Sequence, residues 1–352
     1  MDKGFGYNRS RMVRPLFTGY RSPVSSLQST SIFWMNGRLA TQLSEISTDP
    51  RCLQDGGFWA VSTTFEGGFM AAKFENLRLS DFPRHPWQKI AGNWQSSISQ
   101  SEYVAYVERI QEAIAQGWVY QVNACREISI EIGVDNLRGL FTEIIANNPA
   151  PWASYLEIPS LNIASASPEL FLKRQGNQVL TSPIKGTAPV GENNFGNKDR
   201  AENVMIVDLM RNDMGQICKS GTVSVPRLLA TEVHPGLVHL VSDIQGELKD
   251  GLSWNEILSA ITPPGSISGA PKSSAIKVIQ SNEVARGPYC GVLGWVQGDQ
   301  CELSVAIRIF YKDDKLRFGT GAGITWGSDP VQEWEETQLK ARRLVSIAGG
   351  VL

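Results

Sequence analysis

The stretch "WVYQVNACREISIEI", residues 118–132, decides the fold class. Trp118, Tyr120, Val122 and Ala124 share one face and Val119, Gln121, Asn123 and Cys125 the other, so the period is two and the segment reads as a strand with one partly polar face. What precedes it reads as a helix. Ser99-Gln-Ser-Glu102 has the form of a capping box, the run continues to Gln116, and Gly117 suits the position just past a helix end. Outward from this pair, strands are expected at 152–158, 162–166, 179–182, 290–297, 302–311 and 315–319, and helices at 199–214, 254–260, 271–284 and 330–347. Residues 1–90 read as irregular, with turn signals at Asp55-Gly56-Gly57 and Gly67-Gly68. The order is mixed, with hairpin-like strand pairs and no regular β-α-β alternation, which predicts an α+β fold with largely antiparallel sheets and excludes a Rossmann architecture.

Composition narrows the function classes. A chain of 352 residues with 42% hydrophobic and 19% charged residues is globular and long enough for a large core. The net charge of −2 gives no general attraction to nucleic acid. No run of about 18 apolar residues suggests a membrane span, and no compact apolar stretch at the start suggests a secretory signal. Between Asp2 and Glu45 there is no acid, while Arg9, Arg11, Arg14, Arg21 and Arg38 are present. This has the composition of an organelle transit peptide; the plainer reading is an irregular part of the fold. The five cysteines lack C-x-x-C spacing, which points to buried thiols in a reducing, cytoplasmic setting. Three histidines are too few for a multi-histidine metal site.

Five segments can carry chemistry. In "DRAENVMIVDLMRNDMG" (199–215), Glu202, Ile206, Leu209 and Asp213 share a helix face. A carboxylate on an apolar stripe is costly unless paired, protonated or metal-bound, though Glu202 also suits the first turn as a helix-dipole partner. In "SDPVQEWEETQLKARRL" (328–344), Glu333, Glu336 and Lys340 lie at i, i+3 and i+7, either as a solvated face or as carboxylates for a hard cation such as magnesium. Glu202 could complete such a site. "TPPGSISGAPKSSAIKVIQ" (262–280) leads a Gly/Ser turn into a helix, where free amides can hold an anion, and it is not a Walker A motif. "FGTGAGITWG" (318–327) is not G-x-G-x-x-G, yet its successive amides can form a carboxylate nest or merely a tight turn. In "ELSVAIRIF" (302–310), alternation places Arg308 on the less apolar face, suited to a bidentate carboxylate or to plain surface exposure. Tyr289 in "RGPYCG" follows a turn and could bond a ligand or be an ordinary half-buried tyrosine.

Together these segments resemble the chorismate-utilising enzymes, a family that includes anthranilate, aminodeoxychorismate, isochorismate and salicylate synthases. The matching stretches are "SASPELFL" (165–172), "PIKGT" (183–187), "DRAENVMIVDLMRND" (199–213), "HLVSDIQGEL" (239–248), "PPGSISGAPK" (263–272), "RGPYCG" (286–291), "AIR" (306–308) and "GAGITWGSDPVQEWEETQLKA" (321–341). They run in family order and span roughly 100–352. The resemblance implies large, mostly antiparallel sheets packed with helices around a central cleft. It also implies a chorismate-binding catalytic domain at 91–352 and a reduced 1–90 segment contributing to the same fold.

Within that family, Lys185 of "PIKGT" is similar to the aminodeoxychorismate synthase component I branch, whereas anthranilate synthases resemble "PIAGT". A desolvated lysine can be a nucleophile. The resemblance implies that Lys185 attacks C2 of chorismate as the C4 hydroxyl leaves, and that ammonia then displaces it to give 4-amino-4-deoxychorismate, a precursor of para-aminobenzoate and folate. It implies Glu169 as general acid, Thr187 and His239 near the ring and its hydroxyl, and Glu202, Glu333 and Glu336 as magnesium ligands. Gln121, Ser268, Gly269, Ala270, Tyr289, Arg308, Gly321, Ala322, Gly323 and Lys340 are implied substrate binders. Gln121 stands where isochorismate and salicylate synthases carry a lysine base, which argues against water as nucleophile. No "LLES"-like tryptophan motif is found, and "TWGSD" (325–329) departs from the family's turn. Ammonia is expected free or from a separate glutamine amidotransferase subunit. The alternative within the family is anthranilate synthase component I.

Overall fold

The structure, a computed structural model, describes residues 30–189, 195–234 and 237–352. Of the Arg-rich start, Arg9, Arg11, Arg14 and Arg21 lie outside the described residues, while Arg38 begins a strand. Six α-helices are described: α1 Gln100–Ala115, α2 Arg138–Asn147, α3 Asn197–Ile217, α4 Trp254–Ile261, α5 Lys272–Asn282 and α6 Pro330–Ala348. The capping box at Ser99/Glu102 is made in both directions, and Gly117 has φ +74°. A second such box starts α4 at Ser253/Glu256. Asp329 caps α6 through the amides of Val331 and Gln332, with Pro330 at the first position.

The strands form an 18-stranded sheet in which every described pairing is antiparallel, and the only parallel pair is a small outlying one between Ile90–Asn93 and Gly349–Val351. The ladder can be followed from Ser224–His234 through Leu237–Glu247, Gln178–Ser182, Leu170–Gln175, Gln300–Val305, Val292–Gln297 and Phe58–Thr63. It continues through Phe69–Leu79, Arg38–Ser47, Ile32–Met35, Trp152–Ile158, Leu161–Ser167, Ile309–Lys312 and Leu316–Ile324 to Gln121–Ile130. A sheet of this length curls instead of staying open. Its two ends come together. A Cβ built on Gly323, near one end, would lie 3.5 Å from Nζ of Lys185, on a strand that pairs near the other end. One large apolar cluster joins strands of both halves to α1, α3, α4 and α5, and a second fills the space against α2 and α6.

Three local expectations are corrected. Residues within 1–90 supply four strands of the main sheet between Ile32 and Leu79. Phe58–Thr63 is buried at every position, so it offers no alternation to read. The strand expected from Trp118 begins at Gln121 and is buried on both faces through Arg126, while Trp118 and Tyr120 are 58% and 67% exposed before it. The expected strand 302–311 is broken: pairing stops at Val305 and resumes at Ile309, and Arg308 adopts φ +53°. Arg308 therefore leaves the alternation that was to set its direction. Among the described residues no helix is long and apolar enough to cross a membrane.

Candidate active site

Lys185 lies on the strand Ile184–Pro189, which pairs with Leu237–Glu247. Ile184 is opposite Val241 and Thr187 opposite His239, so three steps on one strand meet two on the other. That mismatch is a bulge at Lys185-Gly186, and Gly186 takes it up with φ +86°. A Cβ there would also press on Asp199, Leu240 and Phe195, each at 3.2 Å. Burial pulls the Lys185 ammonium below the ordinary lysine value, Lys340 pulls the same way, and Glu202, Glu169 and Glu336 oppose them. His239 is buried on the neighbouring strand. The side chain of Thr187 lies outside the described residues.

Glu169 follows the strand Leu161–Ser167 and is 3% exposed. Burial pushes its carboxyl up to about 7, against the Ser266 hydrogen bond, Lys185, Arg308 and the Ile184 amide. Ser266 Oγ donates to Glu169 Oε1 at 2.5 Å. Sequence reading missed Ser266. It named Ser268, Gly269 and Ala270 of the same turn, and only the fold shows which serine reaches the acid. Ser268 instead donates back to the carbonyls of Pro264 and Gly265 at 3.1 and 3.3 Å. The turn is held to the strand Gln121–Ile130 and the residue before it, with the amides of Tyr120 and Asn123 donating to the carbonyls of Ala270 and Ser268 at 2.7 and 3.0 Å. Ser268, Gly269 and Ala270 thus brace the site wall. Burial lowers the Arg308 guanidinium to about 10, with Glu169 opposing.

The floor is the strand Leu316–Ile324. Gly319, Gly321 and Gly323 alternate along it and so share one face. A Cβ at these positions would meet the Tyr289 ring at 2.2 Å, the Cys125 sulfur at 2.5 Å and Gln121 Nε2 at 2.5 Å. Tyr289 and Lys185 therefore stand over opposite ends of a bare track about 13 Å long. Gln121 is 1% exposed, and neither end of its carboxamide meets a partner among the described residues. A buried amide in that state is poised for a ligand's polar group. Ala322 is buried with its Cβ on the other face. Lys340 Nζ donates to the Gly321 carbonyl at 3.0 Å and pairs with Glu336 at 2.6 Å.

The expected metal acids arrive on separate helices. Glu202 comes from the first turns of α3, Glu333 and Glu336 from α6. Glu202 and Glu336 both act on the Lys185 ammonium, while Glu333 is buried. Among the described residues no three acidic, histidine or cysteine side chains form a ready metal cage. Magnesium asks for less, since it takes one or two carboxylates and leaves its other positions to water and substrate. Glu202 and Glu336 fit that demand. Asp213, on the same helical stripe as Glu202, is instead buried against Lys272 at 2.6 Å.

This arrangement agrees with what the chain is similar to. The chorismate binding enzyme family matches residues 66–346. Anthranilate synthase component 1 of Saccharolobus solfataricus is 36% identical over 270 residues, 73% of this chain and 64% of that protein. Aminodeoxychorismate synthase component 1 of Bacillus subtilis is 33% identical over 288 residues, 77% of this chain and 61% of that protein. The chain thus spans under two thirds of these relatives' lengths. Among solved structures, anthranilate synthase component I from Streptococcus pneumoniae superposes with TM-score 0.75 at 21% identity, over 90% of this chain and 89% of that one. The menaquinone-specific isochorismate synthase MenF of Escherichia coli superposes with TM-score 0.77 at 19% identity, over 92% and 90%. The curled antiparallel sheet, the glycine track and the lysine–glutamate pair thus sit on a chain that belongs to the chorismate binding enzyme family.

Proposed function

We propose that the chain is an aminodeoxychorismate synthase component I, which aminates chorismate at C4 using ammonia from a separate glutamine amidotransferase. The observation that carries this reading is the pairing of a lysine amine held below its ordinary pKa with a carboxyl raised to about 7. Environments that push an acid up and a base down favour the protonated acid together with the free amine. In that state Nζ of Lys185 forms a bond to C2 of chorismate and gives up a proton. Both ring double bonds shift, C1=C2 to C1=C6 and C5=C6 to C4=C5, and the C4–O bond breaks as Glu169 delivers its proton, releasing water; the carboxylate left behind takes up the proton given up by the lysine nitrogen. Ammonia then adds at C4, both double bonds shift back, and the lysine leaves C2 as an amine. The extra proton on the new amine passes to the departing lysine nitrogen, which returns the site to its starting charge.

Gln121 supports ammonia over water as the incoming group, because a carboxamide cannot act as general base. Arg308, Lys340 and the glycine track offer donors for the two carboxylates of chorismate. Glu202 and Glu336 would hold magnesium, which when bound neutralises carboxylate charge. Lys185→Ala should lose 4-amino-4-deoxychorismate formation, read by mass and absorbance of the product; unchanged output would remove the nucleophile from the reading. The second reading, anthranilate synthase component I, is favoured by the 36% identity to the Saccharolobus relative.

A further inference from the structure

We infer that Asn203 is the positioning residue of the Lys185 amine. This rests on Lys185 as nucleophile. The bulge at Lys185-Gly186 turns the lysine away from the plain alternation of its strand, and it also interrupts the ladder that would otherwise hold the backbone there. An interrupted ladder needs other donors for its carbonyls.

Asn203 supplies them from α3. Its side chain is 1% exposed and is inserted where the two strands part. Nδ2 donates to the Lys185 carbonyl at 3.4 Å and to the Leu240 carbonyl at 3.2 Å, one on each strand. Oδ1 accepts from Ser242 Oγ at 2.6 Å, and that oxygen in turn accepts the Leu229 amide at 3.0 Å. The serine bond fixes which way the carboxamide faces, so both hydrogens must point at the bulge. Asn203 also follows Glu202 directly in α3, and Glu202 is one of the acids acting on the Lys185 ammonium. One helical turn therefore ties the lysine backbone and presents a carboxylate to its amine. A neutral carboxamide does this without adding charge beside a group that must be uncharged to react.

The test reads the first covalent step alone. The chain is mixed with chorismate and magnesium without ammonia, and its intact mass is followed. The wild-type chain should gain chorismate less water; Lys185→Ala should gain nothing. Asn203→Ala should form the adduct about 100-fold more slowly, the cost of misplacing a reacting group by about an ångström, with chorismate affinity unchanged. Ser242→Ala, which keeps the donors but frees the carboxamide to turn, should slow it in the same direction by less, and it carries the test if Asn203→Ala does not fold. No adduct on the wild-type chain would remove the nucleophile and this inference with it. Adduct formation at the wild-type rate in Asn203→Ala, or in Ser242→Ala where that variant carries the test, would overturn the inference while leaving Lys185 in place. So would a loss confined to chorismate affinity.

Discussion

Glu169 and Lys185 each bear on the other's ionisation through charge. The acid–amine pair and the carboxylate–ammonium pair have the same proton count, and burial favours the uncharged version. Activity should therefore fall as pH rises through about 7, where Glu169 ionises. Glu169→Gln should abolish that alkaline limb and cost about 100- to 10,000-fold in kcat, the range for one positioned proton donor. The same shift has a stability consequence. Between the ordinary 4.5 and the folded value of about 7, the folded chain binds more protons than the unfolded one. Stability therefore falls with rising pH across this window, by about 1.4 kcal/mol per unit for this group. Urea unfolding at pH 5 and pH 8 should show that slope reduced in Glu169→Gln.

Elements were legible where their environment was one-sided. The helix α1 has buried Tyr103, Tyr106, Val107 and Ile110 against exposed neighbours and explicit caps, so its ends could be read to within a residue or two. Phe58–Thr63 is buried throughout and could not be read by alternation. The reach of Arg308 depends on a positive φ between two strand segments, and the role of Ser266 depends on a chain reversal that brings it to an acid 97 residues away. Neither leaves a periodic trace. The glycine track was visible as composition, but its purpose is visible only against what lies over it. Gly323→Ala would drive a Cβ to 2.5 Å from the end of the Gln121 side chain, a group able to move. It should cost about tenfold or more in kcat/KM but under about 1 kcal/mol in stability. Gly291→Ala makes the contrast, since its Cβ would meet the Thr63 carbonyl at 1.9 Å, and backbone cannot give way. Denaturant midpoints of the two variants should separate accordingly.

At the scale of the whole molecule, the site exists because the two ends of one curled ladder approach each other. The lysine comes from near one end, the glycine track from near the other, and α3 and α6 bring Glu202 and Glu336 from separate parts of the chain. No local stretch holds the site, which is why the segments could be recognised singly while their distances could not. Since the two acids arrive independently, Glu202→Ala and Glu336→Ala should each abolish magnesium-stimulated turnover; full activity of either with a chelator present would contradict the metal assignment. The proposed reaction places nitrogen at C4 of chorismate and keeps the enolpyruvyl group. The most direct measurement mixes the purified chain with chorismate, magnesium and an ammonium salt and identifies the product by mass and absorbance. The expected product is 4-amino-4-deoxychorismate; anthranilate with release of pyruvate would contradict the proposed function.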